Sequence, residues 1–268
     1  MDEVLIRNHC AHEHIEPRFA PLVEAARAGM VACCGNRLLE LRLQGSIARG
    51  DARVGHADLD MIALLDAPPT DDANRCLAEL AATLGVETQV VPRFDLEAVS
   101  ADTLEPFRRF VLSSDSLCIY GVDSLTQPVQ SMARHVLARL VTPDPSTMLP
   151  DYLLWVDELA SAGDAERRFA SRIIGKDLLK VLRGVLLLRG AEYEAAIPRI
   201  AVQVPLLAPE MAVVAECLFA LYAEPITDQV AIRRAVAGTV TVLQSCPELD
   251  MLGSAGEAHI ASPGESAP

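Results

Sequence analysis

Residues 39–66 read LELRLQGSIARGDARVGHADLDMIALLD. An apolar-alternating run ends at Gly45-Ser46, a loop rich in glycine and arginine follows, and a second apolar run opens with Asp58-Leu59-Asp60. In a strand, residues two apart project from the same face, so Asp58 and Asp60 are expected to point together into one site. Two carboxylates held that close repel each other unless a cation lies between them. Hard divalent cations such as Mg²⁺ take carboxylate oxygens together with substrate phosphates. A Gly-Ser turn just before the acids lets backbone N–H groups and a hydroxyl come close to phosphate oxygens. The pattern therefore predicts metal-dependent chemistry on a nucleoside triphosphate.

Gly45-Ser46 followed by Asp58-x-Asp60 resembles the signature of the DNA polymerase β-like nucleotidyltransferase superfamily. The GSIARG tract is similar to that of its small bacterial members, among them aminoglycoside nucleotidyltransferases and minimal nucleotidyltransferases. Those members usually carry Ser directly before a pair such as Asp-Ile-Asp, whereas this chain has His56-Ala57-Asp58, which leaves both carboxylates in place. The segment SLCIYGVD, residues 116–123, also resembles the end of the catalytic core in aminoglycoside-type relatives. The resemblance spans roughly residues 30–124, with motifs specific at the superfamily level. It implies an α/β (α+β) nucleotidyltransferase core with a small mixed sheet, Gly45 and Ser46 against the nucleotide phosphates, Asp58 and Asp60 as ligands of two Mg²⁺ ions, and a third carboxylate on a later strand.

The third acid can be sought by position. In TDDANRCLAELAATLG, residues Cys76, Leu77, Leu80, Ala81 and Leu84 recur at helical spacing, with Gly85 as a C-cap. VETQVVPRF then reads as a strand over residues 86–92, closed by Pro92 and Asp95. Glu87 near its start falls where the resemblance expects the third acid, as metal ligand or as general base toward an acceptor hydroxyl; the alternative is a strand-edge glutamate facing solvent.

The remaining chain reads as a helix over residues 15–36, a strand through Gln44, a strand over 58–65, a helix over 71–84, and, after the strand at 86–92, a further helix and a short strand ending at Tyr120-Gly121. Beyond residue 125 the periodicity becomes helical, in segments punctuated by Pro143, Pro145, Pro150, Pro198 and Pro225. The expected organisation is a catalytic domain at 1–124, an all-α helical bundle at 125–250 and a disordered tail at 251–268, small, polar and rich in Pro and Gly.

Lysine occurs at two positions only, Lys176 and Lys180, one helical turn apart. With Arg172 and Arg183 they fall within an arc of roughly 80°. A cationic stripe of this kind suits a triphosphate, and the resemblance makes a phosphate contact from the helical domain plausible; the alternative is a solvated helix face. Arg49 is read either as a phosphate ligand or as a loop-ordering ion pair.

The chain has 268 residues, 51% apolar and 4% aromatic, and a net charge of −14. That balance counts against a surface that grips nucleic acid through its phosphates and favours a small or cationic acceptor. Seven cysteines lie scattered in apolar surroundings without a Cys-x-x-Cys pair, and are expected to be reduced, mostly buried and cytoplasmic. No apolar run reaches 18 residues and no leader pattern opens the chain, so a soluble, non-membrane protein is expected. His9, Cys10, His12 and His14 lack a second ligand pair and are read as a surface lead-in, and His56 either as a phosphate contact or as a solvent-facing loop histidine.

The reading is a nucleotidyltransferase that moves a nucleoside monophosphate, AMP from ATP by preference, to a hydroxyl of a small, aminoglycoside-like acceptor. Asp157, Glu158 or Glu192 are candidates to receive a cationic acceptor. An antitoxin or regulator of the same fold acting on a protein partner is the alternative, and homodimerisation is left open.

Overall fold

The computed structural model describes residues 2–88 and 90–248, with Glu87 described by its backbone alone; the tail expected at 251–268 lies outside the described residues. The chain divides into two compact units, Met1–Met132 and Ala133–Pro268.

The first unit is built on a four-stranded mixed sheet. Its strands are β2 (Leu38–Gln44), β3 (Leu59–Leu65), β4 (Phe94–Ser100) and β5 (Ser116–Gly121), in the order β4-β3-β2-β5. A further strand, β1 (Glu3–Arg7), pairs with β6 (Val129–Ala133) in a two-stranded sheet that no local pattern announced. β3 runs antiparallel to β2 and parallel to β4. Leu41, Leu43, Leu59, Met61 and Ala63 form one apolar face, covered by α1 (Ala20–Cys34) and α3 (Asp71–Glu87) through Phe19, Met30, Leu77 and Leu84. Fully burying each such side chain contributes about 1.5–3 kcal/mol. On the opposite face Ile62 and Leu64 pack against Leu112 of α4 (Pro106–Ser114). The sheet thus has one largely apolar side and one side on which polar residues cluster.

Arg42 lies on that second side and is fully buried. Its guanidinium donates to Glu40 at 2.6 Å, Asp123 at 3.0 Å, Ser116 Oγ at 2.8 Å and Thr126 Oγ1. Glu40 in turn accepts from the N–H of Ser124 at 2.9 Å. Burial would raise the Asp123 carboxyl, but hydrogen bonds from Thr126 and Arg42 outweigh it and hold the group below the usual carboxylate range.

Three local expectations are corrected. Gly45–Arg49 form a short helix, α2, rather than an open loop, with Ile47 and Ala48 buried as anchors. α3 starts where expected, with Thr70 Oγ1 accepting the Ala73 N–H and Asp71 and Asp72 in the first turn, but it runs on to Glu87, so Gly85 is interior and not a cap. The strand expected at 86–92 does not form, and β4 arises instead at Phe94–Ser100, in a stretch read as helical. Pro92 cannot donate to a ladder, whereas Phe94–Ser100 gains a full parallel register against the buried β3, which overrides the helical preference of Leu96, Glu97 and Ala98.

A fourth correction concerns the cysteines: Cys33 on α1 and Cys76 on α3 form a disulfide, with Cα atoms 5.6 Å apart and 43 residues between them in sequence. The two helices share one sheet face, which brings together residues that no spacing motif links. A closed loop of this length corresponds to roughly 4 kcal/mol of denatured-state constraint. Reduction is therefore expected to lower Tm by several degrees in the wild-type chain and to leave Cys33→Ser unaffected; equal melting with and without reductant, in a sample shown to be oxidised by mass, would remove the cross-link from the account.

In the second unit every described regular element after β6 is helical: α5 (Arg134–Val141), α6 (Pro145–Glu158), α7 (Asp164–Leu188), α8 (Ile197–Leu207), α9 (Ala212–Ala223) and α10 (Gln229–Gln244). α7 is its axis, with Ile174, Leu178, Leu179, Leu182 and Val185 fully buried. Gly175 lets α9 approach closely, since a β-carbon there would sit 2.5 Å from the Leu218 carbonyl oxygen. Arg189 binds both Glu210 and Glu248. Its hydrogen bond holds the Glu248 carboxyl down at about 2, so this contribution to stability is present above the ordinary glutamate range and is lost as pH falls toward 2. No described helix is long and apolar enough to cross a membrane.

Candidate active site

The site is built where β2 ends and β3 begins. Gln44 closes β2 opposite Asp60, and Gly45 follows with φ 72°. A β-carbon at position 45 would lie 3.3 Å from Asp60 Oδ2, in a backbone conformation that side chains disfavour, so glycine brings the turn directly against the carboxylate. Ser46 is the next residue, in the first turn of α2. Asp58 immediately precedes β3, and the N–H of Leu59 between the two acids donates to the Arg93 carbonyl at 3.0 Å.

That bond aligns β4 with β3 and places Asp95 directly beside Asp60 in the parallel ladder. Paired positions share a face, so Asp60 and Asp95 lie on one side of the sheet, with Asp58 in the segment just before β3. Arg93, two residues before Asp95, binds it at 2.6 Å. Asp60, Arg93 and Asp95 line a groove of about 700 Å³ together with Glu97, Phe107 and Arg108, a volume that fits a nucleotide-sized ligand. Glu97 and Arg108 are themselves paired at 2.6 Å. Asp60 and Asp95, neighbours across the ladder and both on the groove wall, offer carboxylate oxygens of the hard type that Mg²⁺ takes. Asp95 is meanwhile engaged by Arg93.

Among the described residues a tighter ligand cluster is Glu40, Cys118 and Asp123. Arg42 already donates to both of its acids, setting its single positive charge between them.

Glu87 is the last residue of α3 and not part of the sheet; the acid that the sheet brings beside Asp60 is Asp95. Arg49 is nearly buried and donates to both Asp115 oxygens at 2.7 Å, pinning α2 to the start of β5. Cys10 Sγ meets the same Asp115 at 3.8 Å, and burial pushes its thiol far above the usual range. The N–H of Ala11 donates to the Ala48 carbonyl, so the histidine-rich tract packs against α2. His56 is exposed.

In the second unit Lys180 binds Asp177 at 2.8 Å, and Asp177 also accepts from the Tyr152 hydroxyl at 2.7 Å. Burial pulls the Lys180 ammonium below the ordinary lysine range, with Asp177 opposing. Arg183 is turned inward, donating to the Val141 carbonyl at 2.7 Å with its guanidinium 5.4 Å from the Tyr193 ring centre. Lys176 is partly exposed. Asp157 is paired with Arg233, whereas Glu158 and Glu192 are exposed.

Sequence reasoning missed Asp95 and Arg93. The usable signal was Pro92 followed by Phe-x-Leu-x-Ala, an alternation that starts a strand just after a residue unable to sit inside one.

No protein-family model matches the chain, and no curated protein matches it in sequence. Solved structures do match. One is the crystal structure of spectinomycin adenyltransferase AAD(9) from Enterococcus faecialis with ATP and spectinomycin, with TM-score 0.52 and 12% identity, covering 84% of this chain and 99% of that one. The chain thus shares the fold of an adenyltransferase.

Proposed function

We propose that the protein is a metal-dependent nucleotidyltransferase that moves a nucleoside monophosphate, AMP from ATP by preference, to a hydroxyl of a small cationic acceptor such as an aminoglycoside-like antibiotic. The observation that carries this reading is the placement of Asp60 and Asp95 on adjacent parallel strands beside the Gly45-Ser46 turn. The fold shared with an adenyltransferase crystallised with ATP and spectinomycin supports it. In this reading the catalytic domain, expected at 1–124, extends through β6, which pairs with β1, and the all-α bundle expected from 125 begins only at Arg134.

Asp58, Asp60 and Asp95 would hold the metal, with Glu87 as the alternative third acid. Mg²⁺ bound there supplies charge neutralisation of the triphosphate and of the departing pyrophosphate. Gly45 and Ser46 contact phosphate oxygens, and the third carboxylate accepts the proton of the acceptor hydroxyl as that oxygen attacks the α-phosphorus in line. Arg49 positions the α2 turn through Asp115. Of the two lysines, Lys176 is the candidate for a phosphate contact, because Lys180 is held by Asp177.

Purified protein incubated with Mg²⁺, α-labelled ATP, GTP, CTP or UTP, and a panel of aminoglycosides and nucleosides tests the reading. Label transferred to an acceptor with release of pyrophosphate is the expected result, and absence of transfer to every acceptor overturns it. Lys176→Ala is expected to raise the nucleotide KM several-fold, by less at high salt. Lys180→Ala is expected to act mainly on stability, because it leaves the Asp177 carboxylate with the Tyr152 hydroxyl but without its cation. An unchanged nucleotide KM in both variants removes the lysines from the site.

A further inference from the structure

Arg93 is a cation inside a group of acids that the proposed chemistry needs for a metal. Its guanidinium holds Asp95 at 2.6 Å, and the two side chains are similarly exposed, 47% and 43%. Arg93 is aligned with the start of β3 through its carbonyl, and it lines the same groove as Asp60 and Asp95. A free divalent ion entering this group must release Asp95 from its ion pair and then sit next to the displaced guanidinium, against like-charge repulsion. A metal that arrives chelated by a triphosphate brings anionic oxygens as well. The planar donor fork of arginine matches those oxygens, so the cation released from Asp95 gains a new partner.

We infer that Arg93 couples metal binding to nucleotide binding: it holds Asp95 at the groove wall, opposes a bare divalent ion, and passes to the triphosphate when metal and nucleotide arrive together. The inference rests on the nucleotidyltransferase reading of the groove. Arg93 makes the site selective for the metal–nucleotide complex over either component alone, and it does so through charge, not shape. The coupling is reciprocal: the metal raises nucleotide affinity by the same factor by which nucleotide raises metal affinity.

The test measures Mn²⁺ binding to the full chain by electron paramagnetic resonance, with and without a non-hydrolysable ATP analogue, in wild type, Arg93→Gln, Arg93→Lys and Asp60→Asn. Wild type is expected to bind Mn²⁺ weakly alone and much more tightly with the analogue. Arg93→Gln is expected to bind free Mn²⁺ about tenfold more tightly, and its gain from the analogue should fall by a similar factor or more. Arg93→Lys retains the charge and most of the coupling. A purely structural Arg93 would leave the ratio of the two affinities unchanged, and an Arg93→Gln variant with the wild-type ratio overturns the inference alone. If wild type binds no Mn²⁺ even with the analogue, or binds it equally in Asp60→Asn, the nucleotidyltransferase reading fails, and this inference with it.

Discussion

Asp60→Asn is expected to lower nucleotidyl transfer by about a thousandfold or more while leaving the fold intact. Asp60 stands beside Asp95 in the β3–β4 ladder, with the Gly45 turn against its Oδ2. The change removes one ligand charge at near-constant volume from a partly exposed position, so the cost falls on the site and not on the core. Thermal melting with Mg²⁺ and a non-hydrolysable ATP analogue should stabilise wild type and not the variant. Asp95→Asn and Glu87→Gln then separate the two candidates for the third acid. The sheet register predicts a loss of the same order for Asp95→Asn and a nearly unchanged kcat for Glu87→Gln, whose backbone ends α3. The reverse pattern would return the role to Glu87, and full turnover in Asp60→Asn would end the metal-site assignment.

The largest expected effect on stability comes from Arg42→Met, at about 3–5 kcal/mol in chemical denaturation. Arg42 is wholly enclosed and is the shared donor to Glu40, Asp123, Ser116 and Thr126. Its loss leaves the Glu40 carboxylate, itself buried, with only Ser124 as a donor. The penalty is therefore mainly that of an uncompensated charge. The double variant Arg42→Met with Glu40→Leu should recover much of the loss, because it removes both charges together. A single variant destabilised by under about 1 kcal/mol, or a double variant no better than the single, would show that the network contributes little.

The candidate motif could be read in the linear chain because strand periodicity acts over two residues and a Gly-Ser turn over fewer. Asp58, Asp60, Gly45 and Ser46 could therefore be placed together without knowing what lay beside them. The helical character of the chain beyond residue 125 was legible for the same reason, since apolar residues recur within each turn. The third acid was not, because its place depends on which strand lies next to β3. Local preference favours a helix at Leu96–Ala98, and parallel pairing with a buried strand reverses that preference. Spacing along the chain pointed to Glu87, whereas the hydrogen-bonded register sets Asp95 beside Asp60.

The same division holds for the charges and the cysteines. Composition showed two lysines on one helical turn, but it could not show that Asp177 claims Lys180 or that Arg183 is turned into the bundle. Cys33 and Cys76 carry no spacing signal and meet only because α1 and α3 cover one sheet face. The sequence by itself determined the features whose cause is local: the Gly-Ser turn, the closely spaced acids, the helical repeats and the net negative charge. Tertiary structure alone decided the partners: Asp95 for Asp60, Arg93 for Asp95, Cys76 for Cys33 and Asp115 for Arg49. The physical reason is one of range, since periodicity and backbone preference act over a few residues, whereas each of these contacts forms only once an apolar core has brought distant segments into register.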